Sequence, residues 1–110
     1  MGTPEVPDPI RAFVDATNAA DSDAFVAAFT PDATLVDWGR TFTGHDGVRD
    51  WDRTDNIGVQ ARFDLLDVQP GNEPGSYVAT IRVSGNGYNG TGPMLFRLRD
   101  GLVAGLYIGE

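Results

Sequence analysis

An α+β fold is predicted for this chain, and three observations predict it. The first half carries apolar residues at helical spacing behind helix-capping residues, and the second half switches to alternation of period two. The gaps between the alternating runs hold the Gly, Asn, Asp and Pro chemistry of tight turns. Helices first and strands second is the order of an α+β domain.

Asp8-Pro9 reads as a helix N-cap followed by proline at the first helical position, and Ile10, Phe13, Val14 and Thr17 then share one face. A first helix is expected over residues 9–20. Asp21 or Ser22 caps a short second helix in which Phe25 and Phe29 lie one turn apart, ending where Pro31 forces Thr30 out of helical geometry. Residues 33–37 form a short strand, Asp37-Trp38-Gly39-Arg40 is turn-like, and Thr41-Phe42-Thr43 completes a small hairpin. Thr43 and Asp46 resemble a capping box, and His45, Val48, Trp51, Asp52 and Asp55 follow at helical spacing to near Asn56.

From Val59 onward Ala61, Phe63 and Leu65, then Tyr77, Ala79, Ile81 and Val83, then Met94, Phe96 and Leu98, and finally Ala104, Leu106 and Ile108 mark the inward phase of four strands. Their short turns make them an antiparallel meander. The inward phase, with Phe13 and Trp51 from the helices and Trp38 from the turn, nominates a ligand pocket of Phe13, Trp38, Trp51, Tyr77, Ala79, Ile81, Met94, Phe96, Ala104 and Leu106. The alternative use of the same side chains is to fill the core.

Composition narrows the function. The 110 residues suit one domain, expected to span 1–110 with residues 1–7 loose, and its core is large enough to need no disulfide or metal. With no cysteine, a disulfide framework, a cysteine zinc site and a cysteine nucleophile are all excluded. A net charge of -8, with the arginines scattered along the chain, opposes a nucleic-acid partner. No stretch approaches the roughly 20 apolar residues of a membrane helix, and Met1-Gly2-Thr3-Pro4-Glu5 lacks the pattern of a signal peptide, so a cytoplasmic protein without a membrane partner is expected. The single histidine, His45, cannot build a multi-histidine metal site, and no metal is assigned.

The runs Asn18-Ala19-Ala20-Asp21-Ser22-Asp23 and Phe29-Thr30-Pro31-Asp32-Ala33-Thr34, leading to Asp37, are followed by Gly44 and Val48-Arg49-Asp50-Trp51. Together with the strand pattern that ends in Phe96-Arg97-Leu98 and Gly109-Glu110, they resemble the nuclear transport factor 2-like superfamily. That superfamily includes ketosteroid isomerases, SnoaL-like polyketide cyclases, scytalone dehydratase and limonene epoxide hydrolases. The resemblance implies a cone-shaped α+β barrel, with three N-terminal helices packed on a curved, mostly antiparallel sheet around a pocket. It also implies a homodimer formed through the outer sheet face, where Val78, Leu95 and Val103 are expected, and chemistry without a cofactor.

Against the bacterial ketosteroid isomerase pattern, which Thr3-Pro4-Glu5 also matches, Asp37 takes the place of the general base. The two oxyanion donors of such a site are a tyrosine and a protonated aspartic acid. Their positions here read Phe13 and Met94, so authentic steroid isomerisation is not expected. Asp52 takes the position of a pocket tyrosine, and Asp37 with Asp52 would make an acid and base pair. Each has a structural alternative: Asp37 as a turn residue bonding its own backbone, Asp52 as part of a solvated acidic helix face with Asp46 and Asp50. The function expected is a small-molecule pocket protein resembling cofactor-independent isomerases, cyclases or dehydratases, acting on a hydrophobic ligand. The alternative is a non-catalytic ligand-binding or dimerisation module of the same fold.

Overall fold

The computed structural model describes residues 6–109. Three helices, α1 (Asp8–Asn18), α2 (Ser22–Ala27) and α3 (Gly44–Asp55), pack on one six-stranded sheet. The strands are β1 (Phe29–Asp37), β2 (Arg40–Thr43), β3 (Arg62–Pro70), β4 (Ser76–Ser84), β5 (Gly90–Arg99) and β6 (Leu102–Ile108), in spatial order β2-β1-β6-β5-β4-β3. Every join is antiparallel except β1 with β6, which is parallel. The predicted α+β class and the meander are both present. The sheet curves without closing, so β2 and β3 remain edges.

Helix starts differ from expectation in chemistry more than in place. Asp8 is the first residue of α1 and Pro7 holds the cap position without a side-chain bond, so Asp8 acts as a first-turn acid favoured by the helix dipole. Asp21 caps α2 as expected, accepting from the Ala24 amide at 3.1 Å. Thr43 has the extended backbone of a cap, but its side chain makes no capping bond and the capping box does not form. Helix α2 ends before Phe29, which opens β1 and pairs with Val103 of β6, so sheet pairing has overridden the helical spacing of Phe25 and Phe29. Strand β1 therefore contains Pro31, which sits where the parallel ladder is irregular between Phe29 and Thr34 and lacks a donor at no cost there.

Inward phase holds through β4 and β5, where Ala79, Ile81, Met94 and Phe96 are buried while Leu95 and Arg97 are exposed. It fails in β6. A bulge pairs Gly105 with Arg97 but Val103 with Leu98, making Ala104 the extra residue. Val103 is consequently fully buried and Ala104 only half-buried, which corrects both the inward placement of Ala104 and the outer-face placement of Val103. The loose lead-in expected for residues 1–7 falls outside the described residues at 1–5. Val6 and Pro7 are half-buried, and Val6 packs against the core.

The core is an aromatic cluster centred on Phe13 of α1, whose ring meets Phe25, Phe29, Phe63 and Phe96 with centroids 5.1–6.2 Å away. Asn18 at the end of α1 ties this helix to edge strand β3 by imitating a strand partner. Its Nδ2 donates to the Phe63 carbonyl at 2.9 Å, and its Oδ1 accepts from the Phe63 amide at 2.8 Å. Helix α1 thereby fills one end of the curved sheet. No helix among the described residues is long and apolar enough to cross a membrane.

Candidate functional site

A cavity of about 450 Å³ occupies the end of the sheet that α1 leaves uncovered. Its walls come from the C-terminal ends of β1, β4 and β6, the N-terminal end of β5 and the end of α3. Most of the lining is apolar, including Val59, Phe63, Ile81, Val83, Met94 and Ile108.

Asp37 lines this cavity at the end of β1, with its side chain only 13% exposed. Trp38 and Gly39 both have positive φ, +50° and +85°, the geometry of a two-residue hairpin turn, which puts Asp37 directly opposite Arg40. The Arg40 guanidinium donates to Asp37 Oδ2 at 2.8 Å, and the indole Nε1 of Trp51 donates to the same oxygen at 2.9 Å. Among the described residues Oδ1 receives no donor. The turn reading, in which the Asp37 side chain bonds its own backbone, is not what forms, since both partners are side chains.

Arg40 reaches a second carboxylate, Asp55 Oδ1, at 3.3 Å. Asp55, then Asp37, holds the guanidinium above its ordinary value and so in its charged form. Thr54 donates to the other Asp55 oxygen at 2.8 Å. Asp55 is the second acidic wall residue, and the sequence reading did not nominate it or Arg40. Both were within reach of sequence: Trp51 and Asp55 are one helical turn apart on one face, and Asp37 and Arg40 are the ends of a two-residue turn.

Asp52 lies elsewhere. It is 2% exposed and is not a wall residue. Its Oδ2 accepts from the Ser22 hydroxyl at 2.7 Å, and its Oδ1 accepts from Asn56 Nδ2 at 3.1 Å and from the Ile57 amide at 3.4 Å. Neither a facing pair with Asp37 nor a solvated helix face describes it; it is a buried hydrogen-bond hub between α2 and α3. His45 is likewise structural, its Nε2 lying 2.8 Å from the Phe29 carbonyl.

Of the nominated pocket residues, Trp38, Trp51, Ile81 and Met94 line the cavity with Asp37. Phe13, Ala79, Phe96 and Leu106 are fully buried in the core instead, while Tyr77 and Ala104 are half-buried and also off the cavity wall. Trp38 and Tyr88, each 62% exposed, flank the rim from the β1–β2 turn and the β4–β5 loop. No group of three or more His, Asp or Glu side chains among the described residues is placed to hold a metal ion.

The sequence matches the model of the SnoaL-like domain over residues 10–106. The chain belongs to the SnoaL-like domain family, within the nuclear transport factor 2-like superfamily. No curated protein matches it in sequence. Among solved structures, a candidate polyketide cyclase from Sinorhizobium meliloti is 25% identical, superposes with a TM-score of 0.84, and covers 94% of this chain and 95% of that one. A Mycobacterium tuberculosis protein in complex with estradiol-17beta-hemisuccinate is 13% identical with a TM-score of 0.79, covering 94% and 92% of the two chains. The Δ5-3-ketosteroid isomerase of a Mycobacterium species is 15% identical with a TM-score of 0.74, covering 90% and 87%. The last two likenesses establish the shared SnoaL-like fold alone.

Proposed function

We propose that this SnoaL-like chain holds a hydrophobic small molecule in the cavity and that Asp37 acts on it as a general base, without a cofactor, in an isomerase, cyclase or dehydratase reaction. The observation that carries the reading is the asymmetry of the carboxylate. Two donors fix Oδ2 and the ring orientation of Trp51 with it, while Oδ1 is left for a ligand on an otherwise apolar wall. In the proton-transfer step a C–H bond next to a carbonyl breaks, the proton goes to Asp37, and the electron pair enters the carbonyl to form an enolate. Where the ligand has a C=C conjugated with that enolate, return of the proton to the far carbon of the C=C gives an isomer. The reading excludes authentic ketosteroid isomerisation, because Phe13 lies in the aromatic core and Met94 offers only a thioether where that enzyme type has its donors. It takes the protein as a cytoplasmic homodimer that pairs through the outer sheet face, where Leu95 is exposed and Val78 half-buried.

The alternative is a ligand-binding or dimerising module without chemistry, favoured by the Arg40 guanidinium already paired with Asp37. Deuterium exchange into 2-tetralone, an apolar ketone with acidic C–H bonds that is smaller than the cavity, separates the two. Exchange followed by NMR in deuterated buffer is expected to run on the order of hundredfold faster with the protein than without it, and to return to the buffer rate in Asp37→Asn. Binding of the ketone with no acceleration supports the non-catalytic module and overturns the base.

A further inference from the structure

Asn56 stands at the end of α3, fully buried, on the wall of the cavity. Its backbone is satisfied: the amide donates to the Asp52 carbonyl at 3.2 Å, and its carbonyl accepts from the Val59 and Ala61 amides, each at 3.0 Å. Its side-chain nitrogen is satisfied as well, donating to Thr17 Oγ1 at 3.0 Å and to Asp52 Oδ1 at 3.1 Å. Because a carboxylate only accepts, the amide cannot be turned over without setting oxygen against oxygen, so Asp52 fixes which end of the Asn56 amide is which. The atom left over is Oδ1, which has no donor among the described residues. A buried acceptor without a donor is costly in a folded protein and calls for a partner. The wall on which it stands is mostly apolar, with Val59, Phe63, Ile81 and Met94 among its side chains, and none of the wall's donors reaches it.

We propose that Asn56 Oδ1 is a ligand-binding atom of the cavity, and that the ligand is a neutral, largely apolar molecule carrying a hydroxyl or N–H that donates to it. Asp52 is the positioning residue for this contact, with Ser22 and the Ile57 amide holding its carboxylate in place. A ligand that presents a carboxylate there meets oxygen with oxygen, and an ammonium would have to enter an apolar wall as a charge. In the free protein Oδ1 is closed to solvent and bare, so the ligand hydroxyl supplies a bond that nothing else among the described residues makes there while adding apolar burial. The proposal rests on the reading of the cavity as a small-molecule site, but not on Asp37 acting as a base.

The test compares 2-naphthol with 2-methylnaphthalene, which match in shape and differ in the donor, by chemical-shift titration of the full chain. A site built around an acceptor discriminates against the analogue that lacks the donor. The hydroxyl compound is expected to bind about tenfold tighter, and Asn56→Leu is expected to erase that preference. Asn56→Leu also removes the partner of buried Asp52, so the side-chain amide signal of wild-type Asn56 serves as a second measurement. It should shift with 2-naphthol and stay in place with 2-methylnaphthalene. Equal binding of the two compounds overturns the role of Asn56 and leaves the apolar cavity reading standing. A naphthol preference that survives in folded Asn56→Leu also overturns it. Failure of both compounds to bind overturns the small-molecule reading and this inference together.

Discussion

Replacing Asp37 by Asn and by Ala separates the two contacts that its Oδ2 makes. Asn keeps an acceptor for Trp51 Nε1 and loses the charge opposite Arg40. That ion pair is worth little, because the Arg40 side chain is 52% exposed and retains Asp55 at 3.3 Å. An exposed pair of this kind contributes at most about 1 kcal/mol. Ala removes the acceptor too, which strands the indole N–H of a residue that is only 4% exposed. Such a stranded donor costs about 1–3 kcal/mol.

Asp37→Asn is therefore expected to lower stability by about 0.5 kcal/mol and Asp37→Ala by about 2–3 kcal/mol. In a domain of this size the melting temperature should fall by about 2–4 °C and about 10–15 °C respectively. Calorimetric melts at neutral pH measure both, and raising the salt concentration should shrink both deficits by the same ion-pair share, which nearly erases the Asn deficit and leaves most of the Ala one. Equal losses in the two variants would refute the indole bond as the larger contribution. A rise in melting temperature for Asp37→Asn would show instead that the charge strains the fold, as expected of a desolvated carboxylate without partners.

Three further outcomes are expected. Asp32, paired with the Arg99 guanidinium, should titrate below its ordinary value of 3.8; its contribution to stability is then present above that value and lost as pH falls through the folded one. Arg99→Ala should return the Asp32 carboxyl, followed by NMR, to the ordinary range. Because the β6 bulge turns Val103 inward, Val103→Ala should cost about 2 kcal/mol while Ala104→Ser stays within about 0.5 kcal/mol, and denaturant melts showing the reverse would put the bulge elsewhere. Light scattering should find a particle of twice 11.8 kDa that Leu95→Asp dissociates; a particle of 11.8 kDa at every accessible concentration would refute pairing through the outer face.

The strands were legible wherever each residue on one strand meets one residue on the next. Period two gave the inward set of β4 and β5 because their ladder is unbroken from Ser76 opposite Arg97 to Val83 opposite Gly90. It misplaces Val103 and Ala104 because a bulge is a relation between two strands, and its one local mark, Gly105 inside β6, does not say which neighbour is the extra residue. The position of the cavity was hidden for a similar reason. Ala79 and Ile81 share one face of β4, as Phe96 and Met94 share one face of β5, yet Ala79 and Phe96 belong to the core around Phe13 while Ile81 and Met94 line the cavity. What separates them is how far α1 reaches along the sheet, and that depends on the direction in which Phe13 enters, which alternation does not encode.

The acidic residues show how far a resemblance carries and where helix geometry must take over. Asp37 lies at the end of β1 because a two-residue turn requires it there, and the local sequence Asp37-Trp38-Gly39-Arg40 announces that turn. The resemblance alone nominates Asp52, by implying a pocket-tyrosine position there, but successive helical residues point about 100° apart. Once Trp51 faces the cavity, Asp52 is turned towards α2, and the next carboxylate on the face of Trp51 is Asp55, one turn on. Asp52 thus faces the interior between α2 and α3. A short acid there cannot reach the cavity, yet one turn further along α3 it meets Asn56 and fixes the direction of an amide that does lie on the wall. In this chain Asp52 acts on the cavity only through the residue it orients.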